Sequence, residues 1–183
     1  MKTETVSYQA TDVELEGYVA FPDAENAPLV LIAHTWAGKD EFVHKKAEDL
    51  AELGYVGFAV DMYGNGKVGA DTAENESLMT PLVGDRNMLK DRIVSALHYG
   101  KSLPGVDPNR TAAIGYCFGG LVALDLARSG EDLQGVVSFH GLLMGSDISE
   151  TGIKAKVLAL HGERDPMVPL EMVDAFQKEM TKA

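Results

Sequence analysis

The sequence predicts an α/β fold: a mostly parallel, twisted sheet with helices on both faces and an antiparallel hairpin at its N-terminal edge. Three observations predict it. Short continuous apolar runs recur along the chain, at LVLIAH (29–34), YVGFAV (55–60), TAAIGY (111–116), LQGVVSFH (133–140) and KAKVLALH (154–161). Such runs suit strands buried on both faces, as in a parallel sheet covered by helices. Between them lie stretches with helical spacing of apolar residues, and the first twenty residues instead alternate apolar and polar as a half-exposed hairpin does.

Taken in order, residues 3–9 and 12–20 read as two edge strands, followed by a turn around Pro22 and Pro28 and the first buried run at 29–34. EFVHKKAEDLAEL (41–53) reads as a helix and 55–60 as the next strand. Residues 64–85, GNGKVGADTAENESLMTPLVGD, are polar and glycine-rich, and a loop carrying at most one short helix over the top of the sheet is expected. RNMLKDRIVSALHYGKSL (86–103) is helical, with Leu89, Ile93 and Leu97 four apart on one face. After the strand at 111–116 come the helix GGLVALDLARSG (119–130), the strands at 133–140 and 154–161, and a last helix, LEMVDAFQKEM (170–180). With 183 residues, 45% of them hydrophobic, and no repeat or linker, residues 1–183 read as one domain.

Composition excludes several functions. A formal charge of -12, spread along the chain, argues against nucleic acid or an anionic membrane as partner. No stretch approaches the roughly 20 apolar residues of a membrane span, and the N-terminus has no signal-peptide run, so a cytoplasmic location is expected. The single cysteine excludes an internal disulfide and a thiolate cluster, the histidines lack zinc-site spacing, and no phosphate-cradling glycine loop is present. No metal or organic cofactor is expected; the expected partner is a small molecule.

Ligand sites in open α/β sheets lie at the carboxyl ends of the strands. Polar and reactive residues gather there: His34-Thr35-Trp36, Asp61-Met62-Tyr63, Cys117, His140, and His161 with Asp165. A free cysteine ordinarily packs as a small hydrophobe. Cys117, however, sits in GYCFGG at a strand-to-helix junction, the setting in which G-x-[SC]-x-G forms a nucleophile elbow. Gly115, Gly119 and Gly120 supply the absence of bulk that so tight a turn demands, and a helix N-terminus favours a thiolate. Asp165, in HGERDPMVP after a later strand, occupies the position of an acid that orients a catalytic histidine, although Asp-Pro also simply starts turns. Glu163 and Arg164 read as solvated loop charges.

These residues resemble the dienelactone hydrolase family, a cysteine-nucleophile branch of the α/β-hydrolases. The likeness runs through LVLIAH, VDMYG, VDPNRTAAIGYCFGG, VVSFHG and ALHGERDPMVP, nearly the whole chain. It implies Cys117 as nucleophile, Asp165 as the acid of a Cys-His-Asp triad, and the backbone N–H groups of Phe118 and Trp36 as the oxyanion hole, with no cofactor. Thr35, Tyr63 and His140 are expected to line the substrate pocket.

Three departures stand out. Thr35 occupies the place of the family's glutamate, and a hydroxyl does not hold a proton as a carboxylate does. Asn65 stands where an arginine binds the substrate carboxylate, so neutral esters or lactones are expected in preference to anionic dienelactone. No histidine follows Asp165. The natural chain is therefore expected to continue past Ala183 with a strand, a histidine-bearing loop and a helix, and the isolated stretch to self-associate through an uncovered sheet edge. His34, His140 and His161 are the rim histidines that could substitute; His44 and His98 fall within helices. The function expected is hydrolysis of a small ester or lactone. A non-catalytic binding module and a redox-sensing thiol at Cys117 are the alternatives.

Overall fold

The computed structural model describes residues 1–11, 13–146, 148 and 152–182. In chain order its elements are β1 (Lys2–Gln9), β2 (Glu14–Phe21), β3 (Ala27–Ala33), α1 (Glu41–Glu52), β4 (Val56–Val60), α2 (Thr72–Gly84), α3 (Arg86–Ser102), β5 (Val106–Tyr116), α4 (Phe118–Arg128), β6 (Gly135–Phe139), β7 (Lys156–Leu160) and α5 (Leu170–Lys182). The strands form one sheet in the order β1-β2-β4-β3-β5-β6-β7. The predicted α/β class holds. β1 pairs antiparallel with β2 and β2 antiparallel with β4, while every pairing from β4 to β7 is parallel. Only β1 of the hairpin is an edge; β2, expected at the edge too, lies inside the sheet. Asp12, the expected first residue of that strand, lies outside the described residues.

Parallel strands need cover on both faces. On one face α1 buries Val43, Ala47 and Ala51 against Ala20, Ile32 and Ala59. The helix approaches so closely that a Cβ on Gly57 would lie 2.4 Å from the Ala47 carbonyl oxygen. The opposite face is covered by α3 and by α4, whose every residue is buried. Two charges buried within α4, Asp125 and Arg128, satisfy each other at 3.1 Å and reach outward, Asp125 to Arg86 of α3 and Arg128 to Glu179 of α5, each through a two-pronged guanidinium contact. Paired in this way, the charges tie three helices together without leaving an orphan in the core. At the far edge, β7 leaves Leu158 51% and Leu160 46% exposed.

Residues 64–85 depart from expectation: α2 is a full 13-residue helix. Its start is capped reciprocally, in a variant of the capping box. Asp71 Oδ1 accepts from Glu74 N–H at 2.9 Å, and Glu74 reaches back to Ala70 N–H at 2.9 Å. The glycine-rich run before it is organised by one buried carboxylate. Asp61 Oδ1 accepts from the N–H groups of Tyr63 (2.8 Å) and Gly64 (2.9 Å), and Oδ2 from Glu16 (3.1 Å) and Gly66 (2.8 Å). Four backbone donors compensate the desolvation of the charge, and the chain leaving β4 is held in a tight curl.

At the turn from β5 to α4 backbones approach closely. A Cβ on Gly115 would lie 1.8 Å from the Gly119 carbonyl oxygen, one on Gly119 2.2 Å from the Ala33 carbonyl oxygen, and one on Gly120 2.5 Å from Ser138 Oγ. The glycines are demanded by space alone, because none of the three has positive φ. Gly119→Val would force β3 and α4 apart and is expected to destabilise the chain by about 3 kcal/mol or more, read from the denaturant midpoint; a variant of unchanged midpoint would show that the turn is not close-packed.

Candidate active site

Five strand ends converge on one rim, and there a cavity of about 300 Å³ is lined by Trp36, Met79, Cys117, Phe118, His140, Leu142, Asp165 and Met167. Cys117 stands at its floor with φ 57° and ψ -116°, a left-handed conformation that a side-chain-bearing residue adopts only when its surroundings enforce it. The enforcement is visible: Cys117 N–H donates to the Phe139 carbonyl of β6 at 3.0 Å, and its own carbonyl accepts from Gly120 N–H at 2.9 Å. The half-buried thiol is thereby lifted off the sheet at the head of α4. Asp165 lies in the loop after β7. Its Oδ1 accepts from Met167 N–H at 2.9 Å and its N–H donates to Gly162, so the loop is braced on itself. Among the described residues Oδ2 has no partner.

Phe118 is the first residue of α4, where backbone N–H groups have no intrahelical acceptor. Trp36, in the turn after β3, forms the adjacent wall, and among the described residues its N–H is likewise unpaired. The peptides flanking Trp36 are held through their carbonyls. His34 Nδ1 lies 2.5 Å from the Thr35 carbonyl oxygen, and the Tyr63 hydroxyl donates to the Trp36 carbonyl at 2.7 Å. Two expected pocket residues are accordingly placed behind the wall instead of in it. Thr35 Oγ1 is occupied with Ala37 N–H at 3.3 Å. Tyr63 is buried, its ring stacked on Phe118 at 5.8 Å and edge-on to His34 at 4.7 Å. Burial, with the nearby Cys117 sulfur adding to it, drives the Tyr63 pKa far above its ordinary value, so its hydroxyl keeps the proton it donates.

Of the histidines, only His140 is in the cavity wall. It follows β6, has φ 42°, and is fixed through its N–H to the Leu160 carbonyl at 2.8 Å. His34 is fully buried, and desolvation lowers its pKa. His161 Nε2 faces the Val168 carbonyl at 3.3 Å, closing the loop that carries Asp165. His44 stacks on Tyr18 and His98 meets Glu131 at the surface, as helix residues remote from the cavity. No lysine or arginine lines the cavity. Asn65 is exposed in the curl beside β2, Lys67 is exposed, and Arg86 is engaged by Asp125. Glu163 and Arg164 are exposed, as expected. Among the described residues no cluster of His, Cys, Asp or Glu could hold a metal ion. No described helix is long and apolar enough to cross a membrane.

Sequence reasoning missed Met79, Leu142 and Met167. The signal for Met79 was the Asp71-x-x-Glu74 capping box, which announces the helix that carries it. Nothing comparable marks Leu142 or Met167.

The sequence model described as the dienelactone hydrolase family matches residues 15–183. An uncharacterized protein of Caenorhabditis elegans is 40% identical over a 107-residue alignment that covers 54% of this chain and 65% of that protein. Among solved structures, a dienelactone hydrolase-like promiscuous phosphotriesterase from metagenomic libraries superposes with a TM-score of 0.94 at 32% identity, over 99% of this chain and 77% of the other. A dienelactone hydrolase from Anabaena variabilis shares the fold, with a TM-score of 0.71 at 24% identity, over 99% of this chain and 80% of the other. With the family's model matched over residues 15–183 and the fold superposing on its members, the chain belongs to the dienelactone hydrolase family.

Proposed function

We propose that the chain carries the nucleophile, the acid and the oxyanion hole of a hydrolase for small neutral esters or lactones. One observation carries the reading: Cys117 and Asp165 open onto the same cavity, whose remaining walls are Trp36, Met79, Phe118, Leu142 and Met167 with His140. In this mechanism Cys117 Sγ, as thiolate, adds to the substrate carbonyl. The oxyanion is received by the N–H groups of Trp36 and Phe118, and the tetrahedral species collapses to a thioester as the alcohol departs with a proton from a histidine. The same histidine then takes a proton from water, which attacks the thioester and returns the free acid and thiol. Asp165 Oδ2 is the group that would orient that histidine. His34 and His161 are engaged with backbone carbonyls, so neither is offered as the base. The second reading, favoured by its place in the cavity wall, makes His140 the base.

The apolar lining supports a neutral substrate. A carboxylate entering the cavity would be desolvated beside Asp165 with no guanidinium or ammonium to receive it.

Incubation with p-nitrophenyl acetate is expected to leave one acetyl group on Cys117, detected by mass spectrometry, and Cys117→Ala to accept none while keeping its circular dichroism. An inert thiol in the folded chain would support a binding module, and ready conversion to a sulfenic acid by low peroxide, without acylation, a redox sensor. Comparison of kcat/KM for a neutral lactone and its carboxylated counterpart is expected to favour the neutral one by at least about tenfold; preference for the anion would contradict this reading of the cavity. His140→Ala is expected to change steady-state turnover less than the roughly 10²–10⁴-fold that loss of a general base brings. Loss of that size would make His140 the base.

A further inference from the structure

We propose that His34 is the positioning residue of the oxyanion hole: its Nδ1–H, donated to the Thr35 carbonyl, aims the Trp36 N–H into the cavity. The inference rests on the hydrolase reading above and assigns a device that preorganises its transition state.

In a trans peptide the N–H points opposite to the C=O of the same unit, so whatever fixes the Thr35 carbonyl fixes the Trp36 N–H, and the chain has no cis peptide bond. The Thr35 carbonyl accepts from His34 Nδ1–H at 2.5 Å and, more weakly, from Gly38 N–H at 3.3 Å. Without the first donor, rotation of this peptide in a turn would present a carbonyl oxygen where the oxyanion must sit, repelling the charge that the N–H should receive.

The His34 tautomer is dictated by its other nitrogen. Met62 N–H donates to Nε2 at 3.2 Å, so Nε2 must carry the lone pair and the proton must sit on Nδ1. Met62 is itself fixed, because the buried Arg92 of α3 donates from Nη1 to its carbonyl at 2.7 Å. Burial holds the imidazole neutral. A chain of directed bonds thus runs from α3 through Met62 and His34 to Thr35. The next peptide is held in the same manner by the Tyr63 hydroxyl on the Trp36 carbonyl, and the Tyr63 ring lies against Phe118, the residue expected to supply the other donor.

Two substitutions separate this role from simple core filling. An asparagine amide N–H occupies roughly the place of Nδ1–H and keeps the donor to Thr35, whereas a glutamine reaches the place of Nε2 and keeps the acceptor for Met62. The readouts are single-turnover acylation of Cys117 by p-nitrophenyl acetate, which passes through an oxyanion, and alkylation by iodoacetamide, which displaces iodide at a saturated carbon and does not. His34→Gln is expected to slow acylation about 10–100-fold while alkylation stays within about threefold, and His34→Asn to recover most of the loss. Equal acylation defects in the two variants, or acylation and alkylation falling together, would overturn the role. A wild-type chain that alkylates but never acylates removes the hydrolase reading itself, and this shows in the control before any variant is compared. Should the variants not fold, ring-nitrogen NMR shifts of the unaltered protein decide: a proton on Nδ1 of a neutral His34 supports the role, a proton on Nε2 refutes it.

Discussion

The site depends on the closeness of two backbones, the end of β3 and the start of α4. A Cβ on Gly119 would lie 2.2 Å from the Ala33 carbonyl oxygen, which leaves no room for a side chain there, so α4 comes against the strand and its first residue lies on the rim beside Trp36. At this turn Cys117 takes positive φ, held by its backbone hydrogen bonds to Phe139 and Gly120. Strain at Cys117, which would be of order 1–3 kcal/mol, is absorbed by a helix buried along its whole length and by the Asp125–Arg128 pair within it. Position, exposure and helix-head environment of the sulfur all follow from one packing decision.

Around that point the rim is built from directed hydrogen bonds more than from apolar contact. Asp61 gathers four N–H groups and curls the chain after β4, which places Met62 and Tyr63 where they meet His34 and Trp36. Apolar packing alone tolerates shifts of a few tenths of an ångström, but an oxyanion donor works only when aimed. Buried polar groups with single satisfiable partners supply that aim, because any other arrangement leaves one of them unpaired.

The sheet, its helices and the tight turn at Cys117 were legible because each is written locally: apolar runs for the buried strands, helical spacing at 86–103, glycines around Cys117. Legibility failed where meaning depends on contacts across the sheet. Thr35 and Tyr63 share the rim with the cavity residues in sequence terms, yet which side of a turn a residue faces is decided by partners more than twenty residues away, such as Trp36 for the Tyr63 hydroxyl. His34 looked like a spare base; only its two neighbours, Met62 N–H and the Thr35 carbonyl, reveal a nitrogen pair already committed. The helix α2 was hidden by its flanking glycines and by apolar residues confined to its second half, Leu78, Met79, Leu82 and Val83.

The cavity therefore divides into parts with different physical demands. Its floor, Cys117, Phe118 and the Trp36 turn, is held by backbone geometry and leaves little room for change. Its upper wall comes from elsewhere: Met79 from α2, Leu142 from the chain after β6, Met167 from the acid loop. Methionine is unbranched and polarizable, and it follows the shape of what it touches. In the proposed hydrolase such a wall would select for apolar, uncharged groups of fitting size without specifying their outline, while the floor would specify where the reacting carbonyl lies. Chemistry and selectivity can thus change independently, since substitution at Met79 or Met167 touches none of the bonds that aim the donors.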